Sequence, residues 1–265
     1  MNNYLKLICF LIILSSFGCI NQNNTLFTKG KWIDLTHDFS DETIYWPTAE
    51  GFKLKTDYEG VTEKGYFYSA YSYCSAEHGG THIDAPIHFY EGRNTLDQIP
   101  VSQLIGDAIV IDVSETALAD PDYQVGVTDF ENWEAANGKI PDASIVLLRT
   151  GYGKFWPDRV KYMGTDERGS DAVKKLHFPG LDPDAARWIV ANRKINAIGL
   201  DTPSIDYGQS QLFESHRVLF KHNIPAFENV ANLDKLPGKG AFVIALPMKI
   251  KGGSGGPLRI IAYLP

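Results

Sequence analysis

Short runs rich in β-branched and aromatic residues recur along the chain and predict a domain built largely from strands. Segments with helical apolar spacing lie between several of these runs. This arrangement favours an α+β fold, with a mixed, barrel-like β core and helices packed outside it. The predicted strands are residues 32–35, 66–73, 108–113, 144–148, 197–200, 241–246 and 258–263.

Three helices are predicted from capping signals and apolar spacing. The first begins at Asp182-Pro183, an N-cap residue followed by proline at the first helical position. The second covers residues 128–137, from a capping-box pattern to a stop before glycine. The third, residues 211–222, places His216 and Leu219 on one apolar stripe, which predicts that His216 faces the interior.

No linker rich in proline, glycine or serine divides the chain after residue 30, so residues 31–265 are expected to form one domain. The connection from Gly151 to Gly180 is long and lacks a clear strand or helix pattern. Connections of that length are usually functional, and we expect a lid or a subunit contact.

The first eighteen residues have the composition of an export signal. Lys6 is their only charged side chain, and the apolar run that follows is too short to span a bilayer. A small residue before Cys19 resembles the bacterial lipoprotein box. We therefore expect cleavage after residue 18, a lipidated Cys19 and a flexible tether over residues 19–30. The protein would then face the periplasm or the cell exterior; simple secretion and an uncleaved anchor are the alternatives.

The formal net charge is −7, which offers no basic surface for nucleic acid, and membrane contact is expected only through the lipid. Hydrophobic residues make up 44% and charged residues 22%, as in globular proteins, so neither disorder nor a fibrous structure is indicated. Of the three cysteines, Cys74 alone lies in the predicted domain. No disulfide is expected there, and its place in a strand-like run predicts a buried, inert thiol.

The segment from His78 to His88 reads HGGTHIDAPIH and holds three of the seven histidines and one carboxylate. Neutral imidazole and carboxylate are ligands that divalent transition metals prefer. The two glycines and the proline disfavour a helix, so we place the segment on a loop next to a strand. The pattern predicts metal ligation by His78, His82 and Asp84. The alternative is a set of ordinary hydrogen-bonded histidines.

Two distant donors could complete such a site. His216 lies on the buried stripe of the third predicted helix. Glu228 lies in a strand-like run, residues 224–230, whose alternation turns it toward the same face as Ile224 and Ala226. An inward carboxylate needs a cation or a set of hydrogen bonds, and a structural salt bridge to an arginine is the alternative.

At these residues the chain resembles the cyclase or kynurenine formamidase-like metal-dependent hydrolases, whose signature is H-x-G-T-H-x-D-A-P-x-H. The resemblance extends over nearly all of residues 32–263 and implies a swivelling β/β/α fold. It also implies a homodimer or tetramer. Further matching positions are Trp46-Pro47, residues 199–206, His216 twelve residues before Glu228, residues 245–250 and residues 255–259.

The resemblance implies a site with two divalent ions. His78 and His82 would bind one ion, Asp84 and Glu228 would bridge both, and His216 would complete the second. The donor set suits zinc, which we expect, but also manganese and iron.

The resemblance also assigns roles around the metal. His88 would be the general acid/base, with service as a third ligand or as a support for one as the alternative. Trp46 would face the substrate ring, although a core position is an equally fair interpretation. Thr81 and the segment containing Asp201, Ser204 and Asp206 are expected to support the ligands through turn chemistry and hydrogen bonds.

The implied activity is hydrolysis of an amide-type C–N bond in a small-molecule substrate, as in kynurenine formamidase (arylformamidase). Two ions that share carboxylates would lower the pKa of a bridging water from about 15.7 to about 7. The resulting hydroxide would attack the carbonyl, and His88 would carry the proton to the leaving nitrogen.

Two alternatives stay open. One is an isatin hydrolase-like opening of a cyclic amide or lactone, in relatives that use one metal and tend to have glutamine where Glu228 stands. The number of ions per chain discriminates this alternative from the first. The other is an exported metal- or ligand-binding lipoprotein without catalysis, which would need no proton shuttle at His88.

Overall fold

The computed structural model describes Phe27 and residues 29–265, and a closed β-barrel lies at its centre. The strands are β1 (Lys31–Asp34), β2 (Lys53–Val61), β3 (Phe67–Cys74), β4 (His82–Asp84), β5 (Ile105–Asp112), β6 (Gln124–Val125), β7 (Ile145–Arg149), β8 (Gly180–Leu181), β9 (Ala197–Leu200), β10 (Ala226–Glu228), β11 (Lys239–Pro247) and β12 (Gly255–Leu264). The helices are α1 (Ser114–Ala119), α2 (Val127–Asn137), α3 (Arg159–Met163), α4 (Ser170–Val173), α5 (Pro183–Asn192) and α6 (Glu214–Lys221).

The barrel runs in the order β12, β11, β5, β7, β9, β10, β4, and pairing of β4 with β12 closes the ring. Strands β5, β7, β9 and β10 are parallel, whereas β4 is antiparallel to both of its neighbours. Strand β1 adds to β12 outside the ring, and β2 with β3 forms a separate hairpin. This architecture confirms the predicted mixed β core with outer helices.

Both faces of the central strands are buried, which explains their nearly continuous apolar sequences. One face of every strand of the ring contributes to a single buried cluster, and Val110 and Leu147 are examples. Their neighbours Ile111 and Leu148 point to the other face and pack with residues of α2, α5 and α6.

The predicted elements are largely present, with differences at their ends. Strand β9 has the predicted bounds, and α5 begins at Pro183 with the Asp182 carboxylate accepting the N–H of Asp184. Helix α2 is capped differently from the prediction, because Asp129 rather than a later glutamate accepts the N–H of Gly126. Helix α6 starts at Glu214, three residues later than predicted, after a left-handed residue.

The connection from Gly151 to Gly180 is not an open loop, because it contains short helices whose apolar side chains are buried. It contains a 3₁₀ turn, Tyr152–Phe155, followed by α3 and α4. Tyr162 and Phe178 are fully buried and belong to a third apolar cluster, against which Trp46 packs.

The hairpin formed by β2 and β3 stands outside the core. Nearly every residue of both strands is exposed. The predicted strand at residues 66–73 is confirmed, but the expectation of a buried Cys74 is wrong, because this cysteine is exposed at the base of the hairpin.

The predicted signal (residues 1–18), the lipidated Cys19 and most of the tether (residues 19–30) lie outside the described residues. They stay predictions. Among the residues that the structure does describe, no helix has both the length and the apolar character needed to cross a bilayer.

Candidate metal centre

Five metal-donor side chains from four separate segments converge beside β4. His82 and Asp84 lie on β4, Glu228 on β10 and His216 on α6, while His78 precedes β4. In the antiparallel pairing of β4 with β10, Glu228 lies directly opposite His82, so their side chains are close neighbours on one face. The barrel thus joins the two halves of the site that the sequence indicated.

The hydrogen bonding of His82 leaves one ring nitrogen bare. Its Nδ1 lies 3.0 Å from the carbonyl oxygen of Gly80, which can only accept, so Nδ1 carries the proton. Nε2 then presents a lone pair, 3.1 Å from Asp84 Oδ1 and 3.3 Å from Glu228 Oε2. Gly80 has a φ of +60°, which favours glycine and turns its carbonyl toward the ring.

His216 is held in the same electronic state from the opposite side. Its Nδ1 donates to Asp206 Oδ2 at 2.5 Å. Its Nε2 lies 3.1 Å from Asp84 Oδ2 and 3.1 Å from Glu228 Oε1.

Each carboxylate therefore offers one oxygen to each of the two imidazoles, which is the arrangement of a bridging ligand. Asp84 and Glu228 are 1% and 4% exposed, and both histidines are 2% exposed. Two buried carboxylates that face two lone pairs are strongly repulsive unless positive charge lies between them. These donors consequently fit a divalent metal ion.

The protonation of His82 shows the same demand for positive charge. Burial opposes the charged imidazolium, yet the carboxylates of Asp84 and Glu228 raise the pKa of His82 to about 10. Without a cation, the two carboxylates favour a proton on Nε2 of His82. A metal ion at this place would replace that proton.

His78 is oriented by a relay of two residues that the sequence did not indicate. Its Nδ1 lies 2.7 Å from Asp84 Oδ1, and its Nε2 lies 2.9 Å from Ser254 Oγ. The Ser254 hydroxyl donates its only proton to Glu77 Oε2 at 2.6 Å, so it must accept from His78 Nε2–H. Nδ1 of His78 is left as a third bare nitrogen. A side chain at Gly255 would clash with this ring, since its Cβ would lie 2.5 Å from Cε1.

Replacing Ser254 by alanine is expected to weaken metal affinity about 10-fold or more, because His78 would lose the acceptor that fixes its tautomer. Chelator competition and metal analysis of the purified protein measure this effect. Ser254→Thr keeps the hydroxyl and serves as the matched control. Equal affinity in the alanine and wild-type proteins would contradict the relay.

His88 lies at the end of the 3₁₀ turn Pro86–His88 and stacks on the ring of His78, with ring centroids 3.7 Å apart and planes 15° apart. Burial lowers its pKa to about 4, against the opposing field of Asp84. The imidazole is therefore neutral at neutral pH and can accept a proton. It lines the cavity that leads to the metal donors.

The cavity above the donors has a volume of about 280 Å³ and is walled largely by apolar and aromatic side chains. Trp46 is half-buried in this wall and packs edge-on against Phe178 and Phe213. No lysine or arginine is among the described residues that line it. The cavity suits a flat, uncharged ligand.

Thr81 and Ser204 are both buried near the donors, but they act differently. The hydroxyl of Thr81 donates to the carbonyl oxygen of Asn229 at 2.7 Å and accepts the N–H of His37 at 2.9 Å. It thereby ties the loop before β4 to the segment after β10. Ser204 lines the cavity itself.

Asp201 is used elsewhere in the fold. Its carboxylate accepts the N–H and hydroxyl of Thr150 at 2.7 Å and the N–H of Gly151 at 2.9 Å, which holds the loop after β7. The contact that orients an imidazole comes from Asp206, which binds His216. Both aspartates lie in the segment that the sequence singled out, and only the fold distinguishes them.

Comparisons with known proteins find relatives that match most of the chain. The model of the Cyclase family matches residues 33–207. The isatin hydrolase of Roseibium aggregatum is 34% identical over 241 residues, which are 88% of this chain and 86% of that protein. A kynurenine formamidase of Bacillus cereus is 28% identical over 235 residues, 87% of this chain and 96% of that protein. The crystal structure of an isatin hydrolase bound to the product analogue thioisatinate has a TM-score of 0.81 and 31% identity, covering 89% of this chain and 93% of that one.

Proposed function

The chain belongs to the Cyclase family, and from this premise we propose that it is a metal-dependent hydrolase of an amide-type C–N bond. The observation that carries the proposal is the pair of buried carboxylates, Asp84 and Glu228, each shared between the bare nitrogens of His82 and His216. The matched relatives named isatin hydrolase and kynurenine formamidase support the same class of reaction.

We propose two ions per chain. His78 and His82 would hold one, His216 would hold the other, and Asp84 and Glu228 would bridge them. Two donor groups that share Asp84, each compact enough for one ion, support this number. Zinc is our first choice, with manganese and iron compatible. When bound, such ions polarise a carbonyl oxygen and lower the pKa of a coordinated water.

His88 supplies the proton transfer that amide cleavage requires. An amide nitrogen leaves readily only when it is protonated. The neutral imidazole of His88 can take up a proton inside the cavity and return it to the departing nitrogen. Its stack on His78 places it next to the metal donors and restrains the plane of its ring.

Two ions per chain are the arrangement expected of the kynurenine formamidase type, but the lining of the cavity favours a neutral cyclic aryl amide, of the kind that isatin represents, over N-formylkynurenine. The latter carries an amino acid's carboxylate and ammonium groups. A bound carboxylate is normally paired with an arginine or lysine, and the described lining residues include neither. Trp46, Phe89 and Phe213 offer aromatic surface on which a flat bicyclic ring can pack.

A substrate comparison tests both levels of the proposal. We expect kcat/KM for isatin to exceed that for N-formylkynurenine by about 10- to 100-fold, the effect of leaving a charged group unpaired. The measurement uses protein reconstituted separately with zinc and with manganese, and includes simple lactams and lactones. A higher value for N-formylkynurenine would reject the substrate preference. Metal binding without turnover of any of these compounds would favour the non-catalytic alternative.

A further inference from the structure

Another cavity lies beyond the carboxyl ends of β5, β7 and β9, and we refer to it as the strand-end cavity. These three strands are parallel neighbours in the sheet. Ser114, Gly151 and Asp201, which each closely follow one of them, line the cavity. Parallel sheets and barrels usually bind their ligands at this end of the strands. The volume of about 490 Å³ is enough for a small molecule.

The strand-end cavity is separate from the metal cavity. Within the described part of the chain, the two cavities have no lining residue in common. Asp201 lines the strand-end cavity, whereas Ser204, three residues later, lines the metal cavity. A ligand in the strand-end cavity therefore does not compete with a substrate at the metal donors.

Two residues that line the strand-end cavity have a buried polar atom without a hydrogen-bond partner. These atoms are His37 Nε2 and Arg149 Nε, for which residues 29–265 supply no partner. Buried polar atoms are almost always hydrogen-bonded, and the exceptions need an explanation. The bare Nε2 of His82, which faces the other metal donors, belongs to the same small group of atoms. The feature that marks the metal site thus also marks the strand-end cavity.

Arg149 is oriented to bind a carboxylate. It is the last residue of β7, and its Nη1 donates to Asp112 Oδ2 at 2.5 Å. This contact holds the guanidinium in place while Nε stays without a partner. A guanidinium binds a carboxylate through its planar fork of N–H groups. Lys154, in the 3₁₀ turn Tyr152–Phe155, adds a second positive charge to the cavity lining.

The same lining also offers acceptors for an amine. Asp201 is already occupied by the loop after β7, as described above. Asp234 lies in the 3₁₀ turn Leu233–Lys235 and supplies a further carboxylate to the cavity. Burial lowers the pKa of His37 to about 4, against the opposing field of Asp38. The imidazole is therefore neutral at neutral pH and can accept an N–H.

We propose that the strand-end cavity binds a small amino carboxylic acid. Its carboxylate lies against Arg149 and Lys154, and its amine donates to Asp234 and His37. A simple anion fits less well, because Asp234 repels it. Hydrolysis of a cyclic amide breaks the C–N bond and leaves a carboxylate and an amine on one molecule. The ligand class is thus that of the product of the proposed function, on which this choice of class rests.

Equilibrium dialysis with 2-aminobenzoate tests the proposal, because this flat probe carries both groups. We expect the metal-loaded wild type to bind it with a Kd below about 1 mM. Benzoate lacks the amine and aniline lacks the carboxylate. Each should bind at least about 10-fold more weakly, the usual effect of losing a hydrogen bond to a charged group. Absence of binding, or equal affinity for benzoate and 2-aminobenzoate, overturns the proposal.

Variants without the metal locate the bound probe. Asp84→Asn is expected to lose the metal and to keep its affinity for 2-aminobenzoate, because Asp84 does not line the strand-end cavity. Adding Arg149→Gln should raise the Kd at least about 10-fold. Adding Arg187→Gln, at a surface ion pair with Asp184, is the matched control and should leave the Kd unchanged. Binding that disappears with the metal, or that survives Arg149→Gln, overturns the site.

Asp234→Ala provides a second test in the metal-loaded protein. Asp234 is exposed, so its substitution leaves the fold intact, and metal content should equal that of the wild type. The Kd for 2-aminobenzoate should rise about 5-fold or more, whereas the Kd for benzoate should not rise, because only the amine loses its acceptor. An equal change for both probes, or no change for either, overturns the assignment of the amine. Absence of amide hydrolysis in the wild type counts against the proposed function alone, because dialysis needs no turnover.

Discussion

Replacing His88 by alanine is expected to lower kcat for amide hydrolysis at least about 100-fold, the usual worth of a positioned acid or base. The metal content per chain should stay at the wild-type value, because the five donors do not include His88. The physical reason is the leaving nitrogen, which departs slowly without a proton. Steady-state kinetics together with metal analysis of the same preparation measure both quantities.

His177→Ala is the matched control for this experiment. His177 is a half-exposed histidine that pairs with Asp122 at the surface, so its loss should leave both kcat and metal content unchanged. If the His88 variant instead loses both its bound metal and its kcat, the imidazole of His88 is a metal ligand or supports one. That outcome would remove the proton shuttle from the proposed reaction.

Asp84→Asn is expected to abolish the metal site and to reduce hydrolysis by at least about 10³-fold, more than the 10- to 100-fold typical of residues that only support ligands. Asp84 offers one oxygen to His82 and His78 and the other to His216, so a single amide disturbs both halves of the site. Metal analysis and kinetics on the purified variant check this expectation.

Thermal unfolding gives a readout of the same substitution that needs no substrate. Metal that binds only the folded chain raises the midpoint of unfolding, so a chelator should lower Tm in the wild type. The same chelator should leave Tm of Asp84→Asn unchanged. Asp34→Asn, at a surface ion pair with Arg259, should respond to the chelator like the wild type. A chelator effect of equal size in Asp84→Asn would show that the ion is held elsewhere.

The segment that holds three of the five donors could be predicted because these donors lie close together in sequence. His78, His82 and Asp84 lie within seven residues, and glycines and a proline exclude a helix there, so their convergence requires no knowledge of the fold. His216 and Glu228 are distant, but each lies in a periodic segment whose buried side is evident. The structure brings all five together beside β4.

The relay from Glu77 through Ser254 to His78 could not be predicted, because it joins the loop before β4 to the start of β12. Serine in a glycine-rich segment carries no signal of its own. The same limit applies to Asp201 and Asp206, which lie five residues apart in one segment. One holds the loop after β7 and the other orients His216, and this difference depends on which strand ends lie nearby.

The hairpin shows a different limit. Tyrosine and phenylalanine in β3 have the composition of a buried strand, and that composition led to the wrong expectation for Cys74. Periodicity indicates that a strand has an apolar face, but it does not indicate whether the covering layer belongs to the same chain. Composition alone therefore does not indicate whether such a strand is buried.

Strand β4 is only three residues long, yet it is the member that pairs with both β10 and β12 and so completes the ring. It also carries His82 and Asp84, two of the five donors. A cation held between β4, β10 and α6 would strengthen the short pairing of β4 with β10. Metal binding would then stabilise the pairing of β4, from the first half of the chain, with β10 and β12 from the second half.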